Sequence, residues 1–358
     1  MLRYALTAIL ALIGLVLALA YGPGSLQAFH FAPPPADAAM VQRFEAATDY
    51  LGIEAEDLHG AEDLEAGPDG ALYASLADGR IMVRTVSSTW QEVFNTGGRP
   101  LGLSFAPDGA LFIADAELGL LRYDFESGAL DTWLDGTPEG ELVFTDDLTV
   151  LEDGRIILTD ASLRHRYGHH MTSFLEADQT GRVIEITAPD TYRVLADGLA
   201  FINGVDHDPE TGLVYINETW SGRIWRLDPD SGDFDVFVEG LPGYPDNLEF
   251  DARTGLIWSA MPSMRSADLD ALHGRPFIKR LTWRWIQIAG LPPLPPRPAM
   301  AAAFNREGEL VYALRGPDED AEGITTIIPW EGVLFTAGLE RDGITVFPPA
   351  RALAEAPE

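Results

Sequence analysis

The stretch 241–251, LPGYPDNLEFD, places an Asp and an Asn directly after a turn rich in Gly and Pro, where a short alternating strand begins. Gly255 ends the hairpin of this strand and lies nine residues after Asp246. Hairpin glycines recur at positions 70, 109, 154, 212, 255 and 308. The residues eight or nine places before them are Glu62, Leu101, Asp146, Asn203, Asp246 and Met300. Four of these six positions carry a side-chain oxygen.

Each of these positions opens a segment that reads as a strand, a glycine turn and a second strand. The six segments are EDLEAGPDGALYAS, LGLSFAPDGALFIA, DDLTVLEDGRIILT, NGVDHDPETGLVYI, DNLEFDARTGLIWS and MAAAFNREGELVYA. Repetition at about 40 to 50 residues, with several strands in each unit, is typical of a β-propeller. We therefore predict an all-β fold, a six-bladed β-propeller, with the sixth segment as the inner hairpin of blade six.

In a propeller the first strand of each blade lines the central channel, so equivalent positions face the same point on the axis. The side chains of Glu62, Asp146, Asn203 and Asp246 should therefore converge. With Asn247, they form a set of oxygen ligands without His or Cys, which suits a hard cation. Six to eight ligands at flexible geometry favour Ca²⁺ over Mg²⁺. A Ca²⁺ ion would also offset the repulsion between carboxylates that point at one axis.

The other two equivalent positions, Leu101 and Met300, predict that one side of the channel is apolar. A pocket that is partly charged and partly apolar suits an ester or a lactone with an organic substituent. A Ca²⁺ ion can polarise the carbonyl oxygen of such a substrate as a Lewis acid. The reaction also needs a base, for which Asp246 is the first candidate and Asp147 the second.

The N-terminal residues predict export. Residues 4–21, YALTAILALIGLVLALAY, follow Arg3 and contain no charge. They form either a cleaved signal peptide, with a small-residue site at 18–20, or a signal anchor at the short end of the length needed to span a bilayer. Either alternative places the remainder on the non-cytoplasmic side, periplasmic or anchored to a membrane.

The whole chain divides into four parts. We predict a signal or anchor at 1–22, a Pro- and Ala-rich linker at 23–40, a single propeller domain at 41–350 and a disordered tail at 351–358. The segment 41–59 can supply an edge strand that pairs with the last blade and closes the ring.

Two insertions interrupt the repeats. Blade three contains the loop 162–181, whose three histidines, His165, His169 and His170, we interpret as part of the substrate rim rather than as metal ligands. Blade five is followed by 261–298, an amphipathic stretch with Trp283 and Trp285. It forms either a lid over the channel mouth, which we favour, or a contact with a membrane surface.

Composition excludes several function classes. The formal charge is −32, from 56 acidic and 24 basic residues, and nucleic-acid binding needs a basic surface. The acidic surface serves solvation or attracts cations to the channel mouth. The chain has no cysteine, which excludes disulfides, thiolate metal sites and a Cys nucleophile.

Several motifs resemble one family across most of residues 55–345. These are GRPLGLSF with LFIADAELGLL, DDLTV, TGRVIEI, GLAFINGV, INETWSGRIWRL and LPGYPDNLEF. They are similar to the strictosidine synthase-like propellers, in the superfamily of gluconolactonase, senescence marker protein, luciferin-regenerating enzyme and paraoxonase. The apolar N-terminus and RPFIKR at 275–280 most resemble the adipocyte plasma membrane-associated protein branch. The resemblance implies a six-bladed propeller with a channel Ca²⁺, held at positions matching Glu62, Asp146, Asn203, Asp246 and Asn247.

Three departures from the family pattern bear on activity. Asp146 stands where the family has an Asn, and Leu101 stands where paraoxonases have a His. The run ITTIIP before Trp330 lacks the Glu that strictosidine synthases use for condensation. The resemblance therefore implies hydrolysis of a lactone or aryl ester rather than alkaloid condensation. The alternative is a non-catalytic exported propeller that binds Ca²⁺ together with a small molecule or a partner.

Overall fold

The computed structural model describes residues 2–47, 53–138, 140–290, 298–316 and 323–347. The chain begins with helices α1 (Leu2–Tyr21) and α2 (Ala38–Ala46) and strand β1 (Ile53–His59). Blades one and two are built from β2 (Leu64–Ala66), β3 (Leu72–Ser75), β4 (Arg80–Arg84), β5 (Gln91–Asn95), β6 (Pro100–Phe105), β7 (Leu111–Asp115), β8 (Gly119–Asp124) and β9 (Ala129–Leu134). A small hairpin of β10 (Gly136–Thr137) and β11 (Gly140–Glu141) follows.

Blade three contains β12 (Thr145–Val150), β13 (Ile156–Asp160), helix α3 (His170–Glu176), β14 (Gly181–Ala188) and β15 (Thr191–Leu199). Blade four contains β16 (Ile202–His207), β17 (Val214–Glu218), β18 (Arg223–Leu227) and β19 (Phe234–Glu239). Blade five contains β20 (Leu248–Asp251), β21 (Leu256–Met261), helices α4 (Ala267–His273) and α5 (Pro276–Ala289), β22 (Met300–Phe304) and β23 (Leu310–Arg315). The last strands are β24 (Thr326–Trp330), β25 (Val333–Ala337) and β26 (Asp342–Phe347).

The fold is the predicted six-bladed β-propeller, and its ring closes through the N-terminal segment. Strand β1 pairs antiparallel with β26, with Ile53 opposite Val346 and His59 opposite Asp342. Blade six therefore has the order β24, β25, β26, β1, so its outermost strand comes from the start of the domain. The expected ring closure is confirmed, because strands from the two ends of the propeller domain pair within one sheet.

The hairpin glycines from which the repeat position was counted lie in the turns between paired strands. Gly109 and Gly154 have φ values of +85° and +86°, in the left-handed region that glycine adopts without a steric penalty. Between the blades, apolar side chains of adjacent sheets pack into separate clusters, such as the one that joins Phe112 of blade two to Leu158 and Ile184 of blade three.

The sixth segment of the repeat was assigned to the wrong blade. Strands β22 and β23 are the third and fourth strands of blade five, and β22 pairs with β21 with Met300 opposite Met261. The stretch 262–299, with α4 and α5, is consequently an insertion within blade five. The inner strand of blade six is β24.

We call the end of the propeller at which the inner strands begin the upper face. Helices α3, α4 and α5 lie at this face. The insertions that contain them connect the second strand of a blade to the third, and the second strand of each blade ends at the upper face. Residues 23–40, expected to be a linker, also lie on it. The backbone N–H of Phe29 donates to the carbonyl of Glu176 (2.8 Å), and that of Asp37 donates to the carbonyl of Gly240 (2.8 Å). This stretch therefore packs on the propeller, and its last residues form the start of α2.

Helix α1 is the one helix in the described part of the chain that is long and apolar enough to cross a membrane. Nearly all of its side chains are exposed. A signal sequence has the same properties, so length and composition leave both N-terminal alternatives open. The predicted tail at 351–358 lies outside the described residues.

Candidate active site in the propeller channel

A cavity of about 300 Å³ opens on the upper face and ends at the inner strands. Its base contains four of the residues that share the repeat position: Glu62, Asp146, Asn203 and Asp246. Its walls contain six aromatic residues: Phe144, Tyr167, Phe174, Phe201, Trp220 and Tyr244. The cavity is therefore acidic at its base and apolar around its sides.

Local irregularities of the strands help to aim these side chains. The pairing register shifts between Thr145 and Leu148 in blade three and between Ile202 and Val205 in blade four, as in a β-bulge. Blade two has the same shift around Leu101. A bulge breaks the strict alternation of side chains and often lies next to an active site. The shared position is thus an irregular one in three blades.

At the base of the cavity and directly behind it, four buried oxygen atoms have no hydrogen-bond partners among the described residues. These atoms are Glu62 Oε2, Asp146 Oδ2, Asn203 Oδ1 and Asn247 Oδ1. The Nδ2 of Asn247 donates to Glu62 Oε1 at 3.0 Å, which leaves its own Oδ1 and Glu62 Oε2 unused. Buried polar atoms are nearly always satisfied, so four unsatisfied acceptors at one site fit a bound cation.

Burial also makes the metal-free form of this site electrostatically costly. Burial raises the pKa of Asp246 to about 7, while the hydrogen bond from Asn203 acts to lower it. Burial raises the pKa values of Glu62 and Asp146 well above their usual range, and the charge on Asp246 raises both further. A cation between these carboxylates would favour their ionised forms.

The chemistry of the donors matches Ca²⁺ better than zinc. No group of three or more His, Asp or Glu side chains in the described part of the chain is arranged as a metal site. A cation at the base of the cavity would therefore need the amide oxygens of Asn203 and Asn247 as well. Carboxylate and amide oxygens together are typical of Ca²⁺ sites.

Asp147, the second candidate base, lies outside the cavity. Its Oδ1 accepts the backbone N–H of Leu148 at 2.8 Å, and its Oδ2 accepts that of Val205 in blade four at 2.7 Å. A Cβ at Gly102 would come within 2.0 Å of its Oδ1, so the carboxylate also fills the space beside blade two. Asp147 therefore joins blades, and the structure does not support it as a base.

Of the two apolar repeat positions that were predicted to line the channel, one lines the cavity and the other does not. Leu101 lines the cavity. Met300 is fully buried in the core of blade five, where its neighbours include Met261 and Gly243, and it does not line the cavity. Its placement follows from the wrong assignment of the sixth segment.

Only one of the three histidines in the blade-three insertion lines the cavity. His170 lies at the mouth beside Glu340, and burial lowers its pKa although the charge of Glu340 acts to raise it. The Nε2 of His165 lies 3.0 Å from Glu176 Oε2, in a network that holds the N-terminal segment. His169 precedes α3 and makes no capping hydrogen bond with its side chain.

The aromatic walls were not predicted, although the sequence contains a signal for them. Phe144, Phe201 and Tyr244 each lie two residues before the oxygen-bearing position of their blade. Trp220 completes the wall, with ring-centre distances of 4.4 Å to Phe201 and 4.6 Å to Phe174. The repeat thus specifies an aromatic residue above the oxygen ligand in three consecutive blades.

Residues 70–269 match the family model described as "SMP-30/Gluconolactonase/LRE-like region", and residues 51–83 match "Strictosidine synthase-like, N-terminal". The chain is 30% identical over 316 residues to the adipocyte plasma membrane-associated protein of Rattus norvegicus, covering 82% of this chain and 84% of that relative. It is similar to the solved structure of a gluconolactonase from Xanthomonas campestris, with a TM-score of 0.59, 16% identity and coverage of 90% and 97%. It is also similar to that of a calcium-binding protein, regucalcin, from Agrobacterium tumefaciens, with a TM-score of 0.57, 14% identity and coverage of 83% and 93%. At these identities the two structures show a shared fold.

Proposed function

The chain belongs to the SMP-30/gluconolactonase/LRE-like family and its strictosidine synthase-like relatives, and on that premise we propose that it is an exported Ca²⁺-dependent hydrolase of an apolar lactone or aryl ester. The observation that carries this proposal is the cavity itself. Unsatisfied oxygens of Glu62, Asp146, Asn203 and Asn247 lie at the base of an aromatic-walled cavity, beside a carboxylate whose pKa is raised to about 7.

In this proposal the base of the cavity holds Ca²⁺ through the side-chain oxygens of Glu62, Asp146, Asn203, Asp246 and Asn247. The family likeness to a solved calcium-binding protein supports the choice of metal. When bound, Ca²⁺ supplies Lewis-acid polarisation of a carbonyl oxygen.

The carboxylate of Asp246 is the proposed base. It takes a proton from the water that attacks the carbonyl carbon, and after the ring or ester C–O bond breaks it returns the proton to the departing alkoxide. A cation beside Asp246 would keep its carboxylate ionised at neutral pH, and the ionised form is the one that can accept a proton. His170, at the mouth, is placed to contact the substrate rather than the reacting atoms at the base.

The walls favour an uncharged, apolar substrate. The described residues that line the cavity include no Lys or Arg, while Glu62, Asp146, Asp246 and Glu340 are acidic. An anionic substrate would be repelled. A sugar lactone has several hydroxyl groups that need hydrogen-bond partners, and aromatic walls offer few. An alkyl or aryl substituent instead gains from burial against the aromatic rings.

The test is a hydrolysis screen of alkyl lactones, aryl esters and gluconolactone, each with Ca²⁺ and with a chelator. We expect turnover of apolar substrates that chelation removes and added Ca²⁺ restores, with gluconolactone a poor substrate. Asp246→Asn should lower the rate by about 10²- to 10⁴-fold, the usual contribution of a general base. Asp190→Asn makes the same chemical change at an exposed turn and should leave the rate unchanged.

If wild-type protein loaded with Ca²⁺ hydrolyses no lactone or ester, the enzyme proposal is wrong and the non-catalytic binding alternative replaces it. If Asp246→Asn retains full activity, the metal site keeps its role and Asp246 is not the base.

The proposed location is the non-cytoplasmic face of a membrane. Helix α1 suits either a signal or an anchor, and the rat relative is named a plasma membrane-associated protein. Arg3 precedes the apolar run, which favours an orientation with the propeller translocated.

A further inference from the structure

Helix α5 has an apolar face that the propeller leaves uncovered. Phe277, Ile278, Trp285 and Ile288 are exposed, and Leu281 lies between them half-buried. At about 100° per residue, these five side chains fall on one side of the helix. A single exposed apolar residue is ordinary, but a continuous face on one helix marks an interaction surface.

This apolar face continues into α1. The guanidinium of Arg284 donates to the carbonyls of Leu19 (3.3 Å) and Pro23 (2.6 Å), at the end of α1 and just beyond it. The rings of Tyr21 and Phe277 lie 6.2 Å apart. The end of the apolar N-terminal helix is thus fixed beside the exposed face of α5.

The opposite side of α5 packs toward the cavity wall. Trp283 and Leu26 belong to the same apolar cluster as Phe174, which lines the cavity. The insertion that carries α5 starts at Pro262, which also lines the cavity. Helix α5 therefore separates the cavity wall on one side from the uncovered apolar face on the other, and α1 leaves the domain at that same upper face.

We propose that α1 is retained as a membrane anchor and that the exposed face of α5 docks on the bilayer that α1 enters, so that the upper face and the mouth of the cavity lie against the membrane. Continuity with α1 favours the bilayer as the partner, because an apolar helix of bilayer length ends beside the exposed face of α5. Helix α5 has three basic and no acidic residues in a chain of formal charge −32. Lys279 is buried against His273, so the basic groups available to lipid are the half-buried Arg280 and Arg284. A helix of this composition suits the interface of a bilayer with anionic lipid.

The sequence favours a lid for this segment, with a membrane contact as the alternative. No residue of α5 is among the described residues that line the cavity, and the helix packs behind the cavity wall, so we take up the alternative. This docking does not depend on the proposed hydrolase activity, since it concerns the orientation of the domain alone.

The absence of cysteine makes a direct test possible. A spin label is placed at Ile288→Cys in the full chain, which is reconstituted into vesicles of phosphatidylcholine with phosphatidylglycerol. Accessibility of the label is measured to oxygen, which concentrates in lipid, and to a water-soluble nickel complex. Val86→Cys is the matched control, because Val86 is also apolar, is 62% exposed against 72% for Ile288, and lies on the β4–β5 turn at the opposite end of the propeller.

The label at 288 should be more accessible to oxygen than to nickel, and the label at 86 should show the reverse. A label at Trp285→Cys, on the same face, should behave like that at 288. If the label at 288 is as accessible to nickel as that at 86, the face lies in water and the proposal is wrong. If both reagents fail to reach it, protein covers the face, and the proposal is equally overturned.

Discussion

The carboxylates at the base of the cavity predict that metal-free protein becomes less stable as the pH rises from 5 to 7. Burial raises the pKa of Asp246 from its ordinary 3.8 to about 7. An acid whose pKa is higher in the folded than in the unfolded state binds protons on folding. Asp246 therefore does not lower the free energy of unfolding below pH 3.8, and lowers it increasingly as the pH rises toward 7. Ca²⁺ should remove this loss, because it favours the ionised form in the folded protein.

The magnitude follows from the pKa of this one residue. A rise from 3.8 to about 7 corresponds to about 4 kcal/mol of unfolding free energy. The pKa values of Glu62 and Asp146 are raised in the same direction by the same cause, so the total exceeds the share of any one residue. About 2 kcal/mol of the share of Asp246 is lost between pH 5 and pH 7, and in a large domain each kcal/mol moves the Tm by about 2 °C, which predicts a fall of roughly 4 °C or more over this range.

The assay is thermal unfolding followed by circular dichroism at pH 5, 6 and 7. Protein stripped of metal on a chelating resin is compared with the same protein in excess Ca²⁺. The Tm of the metal-free form should fall with pH, while that of the Ca²⁺ form should stay nearly level, so the gap between them widens. Asp246→Asn should flatten the metal-free curve, whereas Asp190→Asn, at an exposed turn, should not. A gap that is constant from pH 5 to pH 7 would refute the reasoning.

Four further predictions concern other parts of the molecule. Trp220→Ala should raise the KM for an alkyl lactone about tenfold or more, because it removes part of the cavity wall. Trp225→Ala, in the third strand of blade four, should leave the KM unchanged. Steady-state kinetics measures both variants, and equal effects on the KM would exclude a role of Trp220 in the wall. Gly102→Ala should lower the free energy of unfolding by roughly 1–3 kcal/mol, and with it the Tm, because the added Cβ would lie 2.0 Å from Asp147 Oδ1. An unchanged melting curve would contradict this packing. Glu62→Gln should weaken Ca²⁺ binding in calorimetry without abolishing hydrolysis at saturating Ca²⁺, and loss of turnover at saturation would give Glu62 a role in the reaction. A reporter fused to the C-terminus should be active only on the non-cytoplasmic side, and activity confined to the cytoplasm would exclude export.

The sequence predicted the propeller because its signals are local and repeated. A glycine at the tip of each inner hairpin fixes the turn, and period-2 alternation fixes which side chains face the channel. Counting back from that glycine located Glu62, Asp146, Asn203 and Asp246 without any structure. The same count also reached Leu101, which lines the cavity as expected.

Blade six was misassigned because inner and outer hairpins have the same local pattern. The stretch 300–313 reads as a strand, a glycine turn and a strand, but it forms the outer half of blade five. Only pairing with β21, on the far side of two helices, distinguishes the two cases. The actual inner strand, β24, contains Pro329, which lowers its strand signal although a proline is tolerated on a strand with one free edge.

Asp146 and Asp147 show what alternation cannot resolve. The two residues are identical and adjacent, and a bulge between Thr145 and Leu148 decides which of them has a free oxygen in the cavity. Backbone amides of blades three and four donate hydrogen bonds to the two carboxylate oxygens of Asp147. A hydrogen bond to a neighbouring blade has no signature in the sequence of either strand.

The central claim is that the oxygen cluster at the base of the channel binds one Ca²⁺ ion. Isothermal titration calorimetry of metal-free wild-type protein with Ca²⁺ tests it most directly, with Asn203→Leu as a variant that removes one neutral ligand and no charge. We predict one site per chain in the wild type and a clear loss of affinity in Asn203→Leu. Absence of binding in the wild type, or an unchanged affinity in Asn203→Leu, would contradict the claim.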